Sequence, residues 1–362
     1  MNVQVATKRL ADALNHVERI VPTRNATPGT NLLRIDLTPE SLVLSGTNLD
    51  LDVEATLPAD VRGEGTYALP AHVFAQVVRA VPGDEVTLEA TDGELSVTSG
   101  DFATRLQLVD PDNAPRPTFP DVYAGTLPAK AFATALGRVR YAAAVAEYQA
   151  IFRGVKMELG DATVRAIATD GFRLAYADVP ESSGLEGEPI VPARSVDELV
   201  KVLGDGDVDI AVDDGQFAIR TDSVRMSAKL MEGTFPDYKR VIPDAFPITL
   251  TLEASALRDA VHRVAVMADK TANNRVDLFV KDGTLQITAE GAYGRAQEAL
   301  AVEQTGSDPE MALAYNAKYL TDALAPLDGA LRLDLSGATS PSVLSDPSDA
   351  TYLAMVVPLR TG

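Results

Sequence analysis

The chain has 362 residues, no cysteine and a formal net charge of −20, from 32 basic and 52 acidic side chains. The lack of cysteine excludes disulfides, thiolate zinc sites and cysteine nucleophiles, and the acidic balance argues against nucleic-acid binding unless the cations gather on one face. No apolar run is long enough to cross a bilayer and the N-terminal stretch lacks the apolar core of a signal peptide, so we expect a cytoplasmic protein without membrane contact.

Three successive segments of the chain repeat one series of elements, at a period of about 120 residues. Each segment opens with a helix whose apolar side chains recur every three or four residues, as in "ATKRLADALNHVERIV", "PAKAFATALGRVRYA" and "EASALRDAVHRVAVMA". Alternating strand segments follow, then a second helix ("LPAHVFAQVVRAVPG", "VPARSVDELVKVLGDG" and "YNAKYLTDALAPLDG") and closing hairpins. The pattern predicts an α+β fold with antiparallel sheets in three domains, 1–124, 125–247 and 248–362.

Turn signals separate the strand segments. Asp-Gly pairs at 92–93, 214–215 and 282–283 are typical of two-residue hairpin turns. The stretch "MEGTFPDYKRVIP" at 231–243 contains too much proline to continue a strand, so it predicts a loop near the boundary of the second and third domains. Taken alone, the loop has two interpretations: its aromatic side chains fill a gap in the core, or it holds a ligand.

Basic side chains are concentrated in or beside the six predicted helices, whereas acidic residues crowd the hairpins. The helix-associated cations are Lys8, Arg9, Arg19, Arg79, Lys130, Arg138, Arg140, Arg194, Lys201, Arg258, Arg263 and Lys318. In a single helix this would be an ordinary solvated face. Recurrence in all three repeats favours one positively charged surface within an acidic protein.

Motifs of catalysis are absent from the sequence. There is no phosphate-binding loop, dinucleotide fingerprint, GxSxG or HExxH motif. His16, His72 and His262 are isolated at predicted helices, which favours solvated helix surfaces over metal ligation. The run Asp205, Asp207, Asp209 lacks the glycine and glutamate of a calcium loop and is interpreted as a solvated turn. We therefore predict no catalytic residue, metal or cofactor, and an acid-site hydrolase remains as an alternative.

Three short motifs, in their order within the repeats, carry a family resemblance. They are "ATDGFRL" at 168–174, "GTFPDYKRVIP" at 233–243 and "MVVPLR" at 355–360. The chain resembles, over essentially its whole length, the bacterial DNA polymerase III beta subunit, the replicative sliding clamp. The resemblance implies a head-to-tail homodimer in which six clamp domains form a ring, with helices lining the hole and sheets outside. Such a ring encircles duplex DNA, independently of its sequence, and tethers the polymerase for processive synthesis without catalysing a reaction.

The resemblance also implies a pocket between the second and third domains. It binds short linear peptides of the DNA polymerase III alpha subunit, the clamp loader and other proteins with a clamp-binding motif. By position, the peptide-binding residues are Phe152, Thr169, Gly171, Phe172, Arg173, Leu174, Pro236, Arg240, Val241, Asn316, Tyr319, Met355, Val357, Pro358, Leu359 and Arg360. Phe172 stands where many relatives have histidine and Phe152 where many have leucine, so we expect a larger apolar contact.

DNA contacts and subunit contacts are implied in the same way. Arg24 stands where the family carries a DNA-contacting arginine, and the predicted DNA-binding set is Lys8, Arg9, Arg24, Arg79, Lys130, Arg138, Lys201 and Arg258. The loop at 142–149 departs from the family because it lacks a basic residue, and Thr361 and Gly362 extend the usual terminus. The predicted dimer interface comprises Arg105, Val109, Val266, Met267, Glu298 and Glu303. During replication the protein should associate with the nucleoid.

An alternative from a different class is a duplicated scaffold that binds peptides through the same pocket but does not encircle DNA. Retention on circular as against linear DNA separates the two hypotheses.

Overall fold

The computed structural model describes residues 2–24, 27–91, 93–145, 150–213 and 215–360. The first repeat forms β1 (Asn2–Ala6), α1 (Thr7–Glu18), β2 (Leu32–Leu37), β3 (Ser41–Thr47), β4 (Leu51–Pro58), β5 (Asp60–Arg62), β6 (Gly65–Pro70), α2 (Ala71–Ala80), β7 (Glu85–Thr91), β8 (Glu94–Ser99) and β9 (Phe102–Gln107). The second forms β10 (Gly125–Pro128), α3 (Ala129–Arg140), β11 (Gly154–Leu159), β12 (Val164–Thr169), β13 (Arg173–Val179), β14 (Ile190–Pro192), α4 (Ala193–Val202), β15 (Asp207–Asp213), β16 (Gln216–Arg220) and β17 (Val224–Lys229).

The third repeat forms β18 (Ile248–Glu253), α5 (Ala254–Ala265), β19 (Arg275–Lys281), β20 (Thr284–Gly291), β21 (Gly294–Ala301), β22 (Glu303–Gly306), β23 (Glu310–Asn316), α6 (Ala317–Leu324), β24 (Ala330–Leu335), β25 (Ser342–Asp346) and β26 (Asp349–Val356). Short 3₁₀ turns lie at Pro111–Asn113, Ala150–Arg153, Tyr238–Val241 and Lys270–Ala272. All six predicted helices are present, and the α+β prediction is confirmed.

Hydrophobic periodicity explains these elements. In α1, Leu10, Leu14 and Val17 recur on one face and are buried, as a helix on a sheet requires. In β2, "LLRIDL", every second side chain is buried, which is the period of a strand with one covered face. α1 packs on β3 and β4 beside α2, and α5 packs on β20 and β21 beside α6.

The chain forms two compact units. Unit 1 contains Met1–Lys130 and Arg194–Leu230. Its sheets have the orders β5-β1-β7-β8-β9 and β10-β15-β16-β17-β4-β3-β2-β6. In the larger sheet, β17 of the second repeat pairs antiparallel with β4 of the first, from Val224 opposite Ala55 to Ala228 opposite Leu51. Pairing between repeats covers strand edges that would otherwise be open.

Unit 2 contains Ala131–Ala193 and Met231–Gly362. Its sheets have the orders β14-β11-β12-β13-β26-β25-β24-β18-β22 and β21-β20-β19-β23. Here β13 of the second repeat pairs antiparallel with β26 of the third, with Leu174 opposite Met355. The second repeat therefore contributes four strands to the larger sheet of each unit.

Two turn predictions are tested by the described residues. The Asp282-Gly283 turn is present, with φ of +49° and +73°, whereas Asp92 and Asp214 of the other two pairs lie outside the described residues. The solvated-turn interpretation of the acidic run is wrong in part, because Asp207 and Asp209 lie in β15. Asp209 is held there by Arg220 on the neighbouring strand at 2.8 Å.

No helix within the described ranges is long and apolar enough to cross a membrane. The same residues contain no cluster of three or more histidine, aspartate or glutamate side chains that could hold a metal ion.

Candidate functional site

The residues assigned to peptide binding by resemblance all lie in unit 2. They come from separate pieces of the chain: the turn at 169–173, the loop at 231–243, the start of α6, and the segment 355–360 at the end of β26. Phe152 adds a fifth piece from the 3₁₀ turn before β11. We call the surface formed by these pieces the groove.

The first wall of the groove is the tight turn between β12 and β13. Thr169 Oγ1 donates to the Arg173 carbonyl at 2.7 Å and accepts from the Gly171 N–H at 3.1 Å. Asp170 accepts from the backbone N–H groups of Phe172 and Arg173 at 2.9 and 3.0 Å. Gly171 has a φ of +87°, where a side chain is strained. This geometry leaves Phe172 52% exposed.

Phe172 connects the turn to α6. Its ring stacks on Tyr319, with centroids 6.4 Å apart and planes 26° apart. The Arg173 guanidinium lies 4.5 Å from the centroid of the same Tyr319 ring. Arg173 is buried, and its Nε and Nη1 donate to Asp170 at 3.0 Å and to Asp322 at 2.6 Å. The two carboxylates offset the desolvation that a buried cation would otherwise suffer.

The second wall combines the start of α6 with the segment 355–360. The Asn316 side-chain oxygen caps α6, because it accepts from two N–H groups of the first turn at 2.9 and 3.4 Å. The Val357 N–H donates to the Phe172 carbonyl at 2.8 Å, and the Leu359 N–H donates to the Ala314 carbonyl at 2.6 Å. Val357 and Leu359 are half-buried, Pro358 is buried and Arg360 is exposed. The segment is thus attached to both the turn and β23.

The loop at 231–243 supplies an apolar floor and an exposed rim. Phe235 and Tyr238 are only 7% and 3% exposed, and they pack in one cluster with Ile167, Leu174, Ile190 and Met355. Phe152 meets Phe235 edge to face at 6.5 Å. Pro236, Arg240 and Val241 remain exposed. The core-filling interpretation of this loop is therefore confirmed for its two aromatic residues, while its rim stays accessible to a ligand.

Tyr238 also has a polar anchor. Its hydroxyl donates to Glu158 at 3.0 Å and accepts from Arg165 at 3.4 Å. Burial raises the pKa of Tyr238 to about 12, although the hydrogen bond from Arg165 opposes the shift. At Glu158, burial favours the neutral acid, but hydrogen bonds from Lys156 and Tyr238 outweigh it and lower the pKa. These contacts hold the loop against β11 and β12.

The groove presents an apolar surface, and at its rim Arg240 pairs with Asp237 at 2.9 Å. Phe172 and Val241 are about half exposed, at 52% and 49%, and Arg240 and Arg360 are exposed. Thr169, Arg173, Leu174 and Met355 are buried beneath them. An apolar surface with a few polar groups suits a hydrophobic peptide with polar flanks.

Sequence reasoning missed the two carboxylates that hold the groove from below. Asp170 and Asp322 pair with Arg173. A local signal existed for Asp170, because an aspartate that starts a tight turn commonly binds the following backbone N–H groups. No local signal connects Asp322 to Arg173, since the two are separated by 149 positions.

In unit 1, carboxylates of the chain neutralise some of the predicted DNA-contacting cations. Lys8, Arg9, Arg24, Arg79, Lys130 and Lys201 are all exposed. Arg79 makes a bidentate pair with Glu18 at 2.6 and 2.9 Å, which lowers the pKa of Glu18. Lys201 pairs with Glu198 at 2.7 Å. Lys8, Arg9 and Arg24 form no salt bridge within the described ranges.

His72 is half-buried, and its ring contacts the Glu18 carboxylate at 3.1 Å. The prediction that His72 lies on a solvated helix surface is therefore wrong.

In unit 2, Arg138 and Arg258 are half-buried. Arg138 donates to Asp349 at 2.9 Å and to Thr351 at 3.1 Å, and the hydrogen bonds from Thr351 and Arg138 lower the pKa of Asp349 despite its burial. Arg258 makes no salt bridge with the part of the chain that is described. Of the loop at 142–149, positions 146–149 lie outside the described residues, as do Thr361 and Gly362.

The predicted interface residues lie at strand edges or beside them. In unit 1, Arg105 lies on β9, the last strand of its sheet, 3.8 Å from Glu94, and Val109 is 38% exposed. In unit 2, Glu298 lies on β21, likewise the last strand of its sheet. Val266 is 76% exposed, Met267 is half-buried and Glu303 is exposed. Glu298 is already bound by Arg263 at 2.6 and 2.9 Å.

Comparison with known proteins covers nearly the whole chain. Three models of the DNA polymerase III beta subunit match in family order: the N-terminal domain over 1–117, the central domain over 126–237 and the C-terminal domain over 239–360. A curated relative from Halalkalibacterium halodurans, named beta sliding clamp, is 26% identical over 96% of both chains. These matches confirm the predicted fold of three clamp domains.

Solved structures agree with this assignment. The sliding clamp of Bacillus subtilis superposes with a TM-score of 0.94 at 23% identity, over 100% of both chains. The clamp of Pseudomonas aeruginosa bound to griselimycin gives a TM-score of 0.93, also at 23% identity and 100% of both chains. With three models of one family in order along the sequence, the chain belongs to the DNA polymerase III beta subunit family, whose curated relatives are named beta sliding clamps.

Proposed function

We propose that this chain is a DNA sliding clamp that closes around duplex DNA as a ring-shaped homodimer and tethers the replicative polymerase. The observation that carries the proposal is the match of three beta-subunit domains, in order, over nearly the entire chain. As a processivity factor it is non-catalytic: it contributes attachment, and the polymerase contributes the chemistry. The place of action is the cytoplasm, at the nucleoid during replication.

The groove on unit 2 is the proposed attachment point for partners. Its exposed Phe172 and Val241, with Arg240 and Arg360 at the rim, suit an apolar peptide. A relative from Pseudomonas aeruginosa is named as bound to griselimycin, which supports a ligand-binding surface in this fold. The partners are the DNA polymerase III alpha subunit, the clamp loader and other proteins with a clamp-binding motif.

Ring closure is proposed to join β9 of one protomer to β21 of its partner. Each is a terminal strand of its sheet within the described residues, and an open strand edge is a template for pairing with another chain. Arg105 then approaches Glu298 and Glu303, while Val109 meets Val266 and Met267. Because the two surfaces differ, the contact is head-to-tail, and it produces a closed ring only if the rotation permits.

DNA is proposed to be held by topology more than by affinity. The net charge of −20 repels DNA from most of the surface. Several cations of the predicted set, such as Arg79 and Arg138, are already paired with carboxylates, which weakens their phosphate contacts. Contacts through Lys8, Arg9, Arg24 and Arg258 would be independent of sequence and sensitive to salt.

Retention on DNA tests the proposal directly. The protein is loaded onto nicked circular duplex by a clamp loader, and gel filtration is run in salt that abolishes ordinary electrostatic binding, before and after one cut linearises the circle. We expect the clamp to stay on the circle and leave after the cut. Equal retention on both molecules would indicate a conventional DNA-binding surface. No retention on either, with peptide binding intact, would favour the scaffold that does not encircle DNA.

A further inference from the structure

The aromatic wall of the groove contains a buried cation. The Tyr319 ring stacks on the Phe172 ring, with centroids 6.4 Å apart. The Arg173 guanidinium lies 4.5 Å from the centroid of the Tyr319 ring. The Arg173 side chain is only 8% exposed. A guanidinium in this position attracts the electron-rich face of the tyrosine ring. The orientation of Tyr319, and with it the exposed face of Phe172, therefore depends on where the guanidinium is held.

Asp322 holds one end of that guanidinium. Its Oδ2 accepts from Arg173 Nη1 at 2.6 Å, whereas Asp170 accepts from Nε at 3.0 Å. The two carboxylates thus bind different edges of the planar fork, and neither can replace the other without moving it. Without Asp322, Nη1 would lose its charge partner in a place with little access to water.

Helix α6 supplies both the wall and its support. Asn316 caps the helix, and Tyr319 and Asp322 follow at successive intervals of three residues, so they lie close to one another along the helix. Lys318 also donates to Asp322, at 2.8 and 3.0 Å, but its side chain is 69% exposed. Exposed pairs of this kind contribute little, which makes the Lys318 contact a suitable control.

We propose that Asp322 is a positioning residue of the groove: it holds Arg173 against Tyr319 and so fixes the Phe172–Tyr319 wall that receives the peptide. This inference rests on the proposed function of the groove. It adds that Arg173 acts as a neutralised structural cation, because both of its carboxylate partners come from the chain itself. An acidic side chain on a ligand therefore gains little from Arg173, and the wall selects for apolar groups.

Griselimycin binding to the full-length dimer tests the proposal, with affinity measured by calorimetry. Asp322→Asn keeps the shape but removes the charge, and we expect about tenfold weaker binding, equivalent to about 1.4 kcal/mol. Asp322→Glu, which keeps the charge, should recover part of the loss. Lys318→Ala is the matched control and should bind like the wild type.

A second measurement separates positioning from general damage. In arginine-labelled protein, the Arg173 Nε–H resonance, assigned by its loss in Arg173→Lys, should shift in Asp322→Asn and stay in place in Lys318→Ala. If the wild type binds griselimycin and Asp322→Asn binds it equally well, the positioning role is refuted while the groove stands. If the wild type itself fails to bind the compound, the proposed function of the groove is what fails. If Asp322→Asn unfolds, Asp322→Ser takes its place: unchanged affinity and an unshifted Arg173 resonance in folded Asp322→Ser would likewise contradict the proposal.

Discussion

Two turns of the molecule, 47–51 in unit 1 and 169–173 in unit 2, share one backbone geometry and present different surfaces. In each turn, the hydroxyl of a threonine that ends a strand accepts a hydrogen bond from the backbone N–H two residues later. The side chain of the residue after this threonine accepts from the backbone N–H groups two and three residues beyond itself. In the turn of unit 1, these hydrogen bonds measure 2.8 Å to Thr47 and 3.0 and 2.8 Å to Asn48. In the turn of unit 2, they measure 3.1 Å to Thr169 and 2.9 and 3.0 Å to Asp170. Both turns also bind the neighbouring strand, through Lys229 N–H to Asp50 O at 2.9 Å and Val357 N–H to Phe172 O at 2.8 Å.

The side chains on these turns differ where a ligand would meet them. The position with positive φ is Gly171 in unit 2 and Leu49 in unit 1, at +87° and +76°. The following residue is an exposed phenylalanine, Phe172, in unit 2 and an exposed aspartate, Asp50, in unit 1. The backbone is therefore common to both turns, and only one of them offers an aromatic wall.

The connectors beside the two turns differ in the same way. Residues 118–121 and 234–237 both read Thr-Phe-Pro-Asp. Phe235 enters an apolar cluster, whereas Phe119 is half-buried and lies 4.3 Å from the guanidinium of Arg225, which pairs with Glu54. Ion pairs occupy the space under the first connector, and apolar side chains occupy the space under the second. A groove for an apolar peptide requires the second arrangement.

The largest expected effect is on stability at the two phenylalanines. Phe235→Ala leaves a cavity in a packed cluster and should lower the free energy of unfolding by about 3 to 5 kcal/mol. Phe119→Ala loses a half-exposed ring and one cation–π contact and should cost about 1 kcal/mol. Urea titration followed by far-ultraviolet circular dichroism measures both. Equal losses would show that the two connectors are packed alike, contrary to the comparison.

The groove itself should respond next. Pro236→Ala combined with Leu359→Ala removes parts of both walls, and peptide affinity should fall by at least about thirtyfold, equivalent to about 2 kcal/mol. Leu49→Ala, on the corresponding turn of unit 1, should leave that affinity unchanged. Fluorescence anisotropy with a labelled clamp-binding peptide provides the measurement, and ultracentrifugation should find both variants still dimeric. Unchanged binding in the folded double variant would refute the assignment of these residues.

Two tyrosines near the connectors test hydrogen bonding. The Tyr238 hydroxyl bonds to Glu158 and Arg165, so Tyr238→Phe should lower the free energy of unfolding by about 2 kcal/mol, because both partners are charged. The Tyr123 hydroxyl is buried and has no hydrogen-bond partner among the described residues, so Tyr123→Phe should be neutral or stabilising. Thermal unfolding measures the stability of both variants. A larger loss of stability in Tyr123→Phe than in Tyr238→Phe would contradict the hydrogen-bond pattern.

Tyr238 also predicts a loss of stability in alkali. Its pKa in the folded protein is about 12, against about 10 for an unfolded tyrosine. The folded state thus favours the neutral phenol, and this contribution is complete below pH 10 and disappears as the pH rises to 12. Tyr238→Phe cannot ionise, so its unfolding free energy should depend less on pH between 10 and 12. Parallel pH profiles for the variant and the wild type would exclude this contribution.

The smallest effect concerns the exchange of residues at positive φ. Gly171→Leu should cost about 1 to 2 kcal/mol, because a side chain is strained there. Leu49→Gly relieves the same strain but frees the unfolded chain, so its stability should change by less than about 0.5 kcal/mol. Chemical denaturation of the pair provides the test. A large loss for Leu49→Gly would mean that the leucine side chain makes packing contacts worth more than its strain.

Local features of the fold were predictable because each depends on neighbouring residues. The six helices followed from apolar spacing, and the loop at 231–243 followed from its prolines. The residues of the groove were implied by a family resemblance, which three short motifs carry; only a few of their roles, such as that of Gly171 in its tight turn, are local. The charged partners were not predictable in this way. Arg79 looked like a free cation in its helix, yet Glu18, 61 positions away, neutralises it.

The repeated order of helices and strands follows from the amino-acid sequence alone, because periodicity and turn chemistry act over a few residues. How the repeats share sheets depends on the folded chain, since the pairing of β17 with β4 and of β13 with β26 joins distant segments. Folding also makes Arg173 a buried, paired cation and places Phe235, but not Phe119, in an apolar core. Burial and charge pairing are set by whichever side chains folding brings together, and the physical cost of an unpaired buried charge makes those partners necessary.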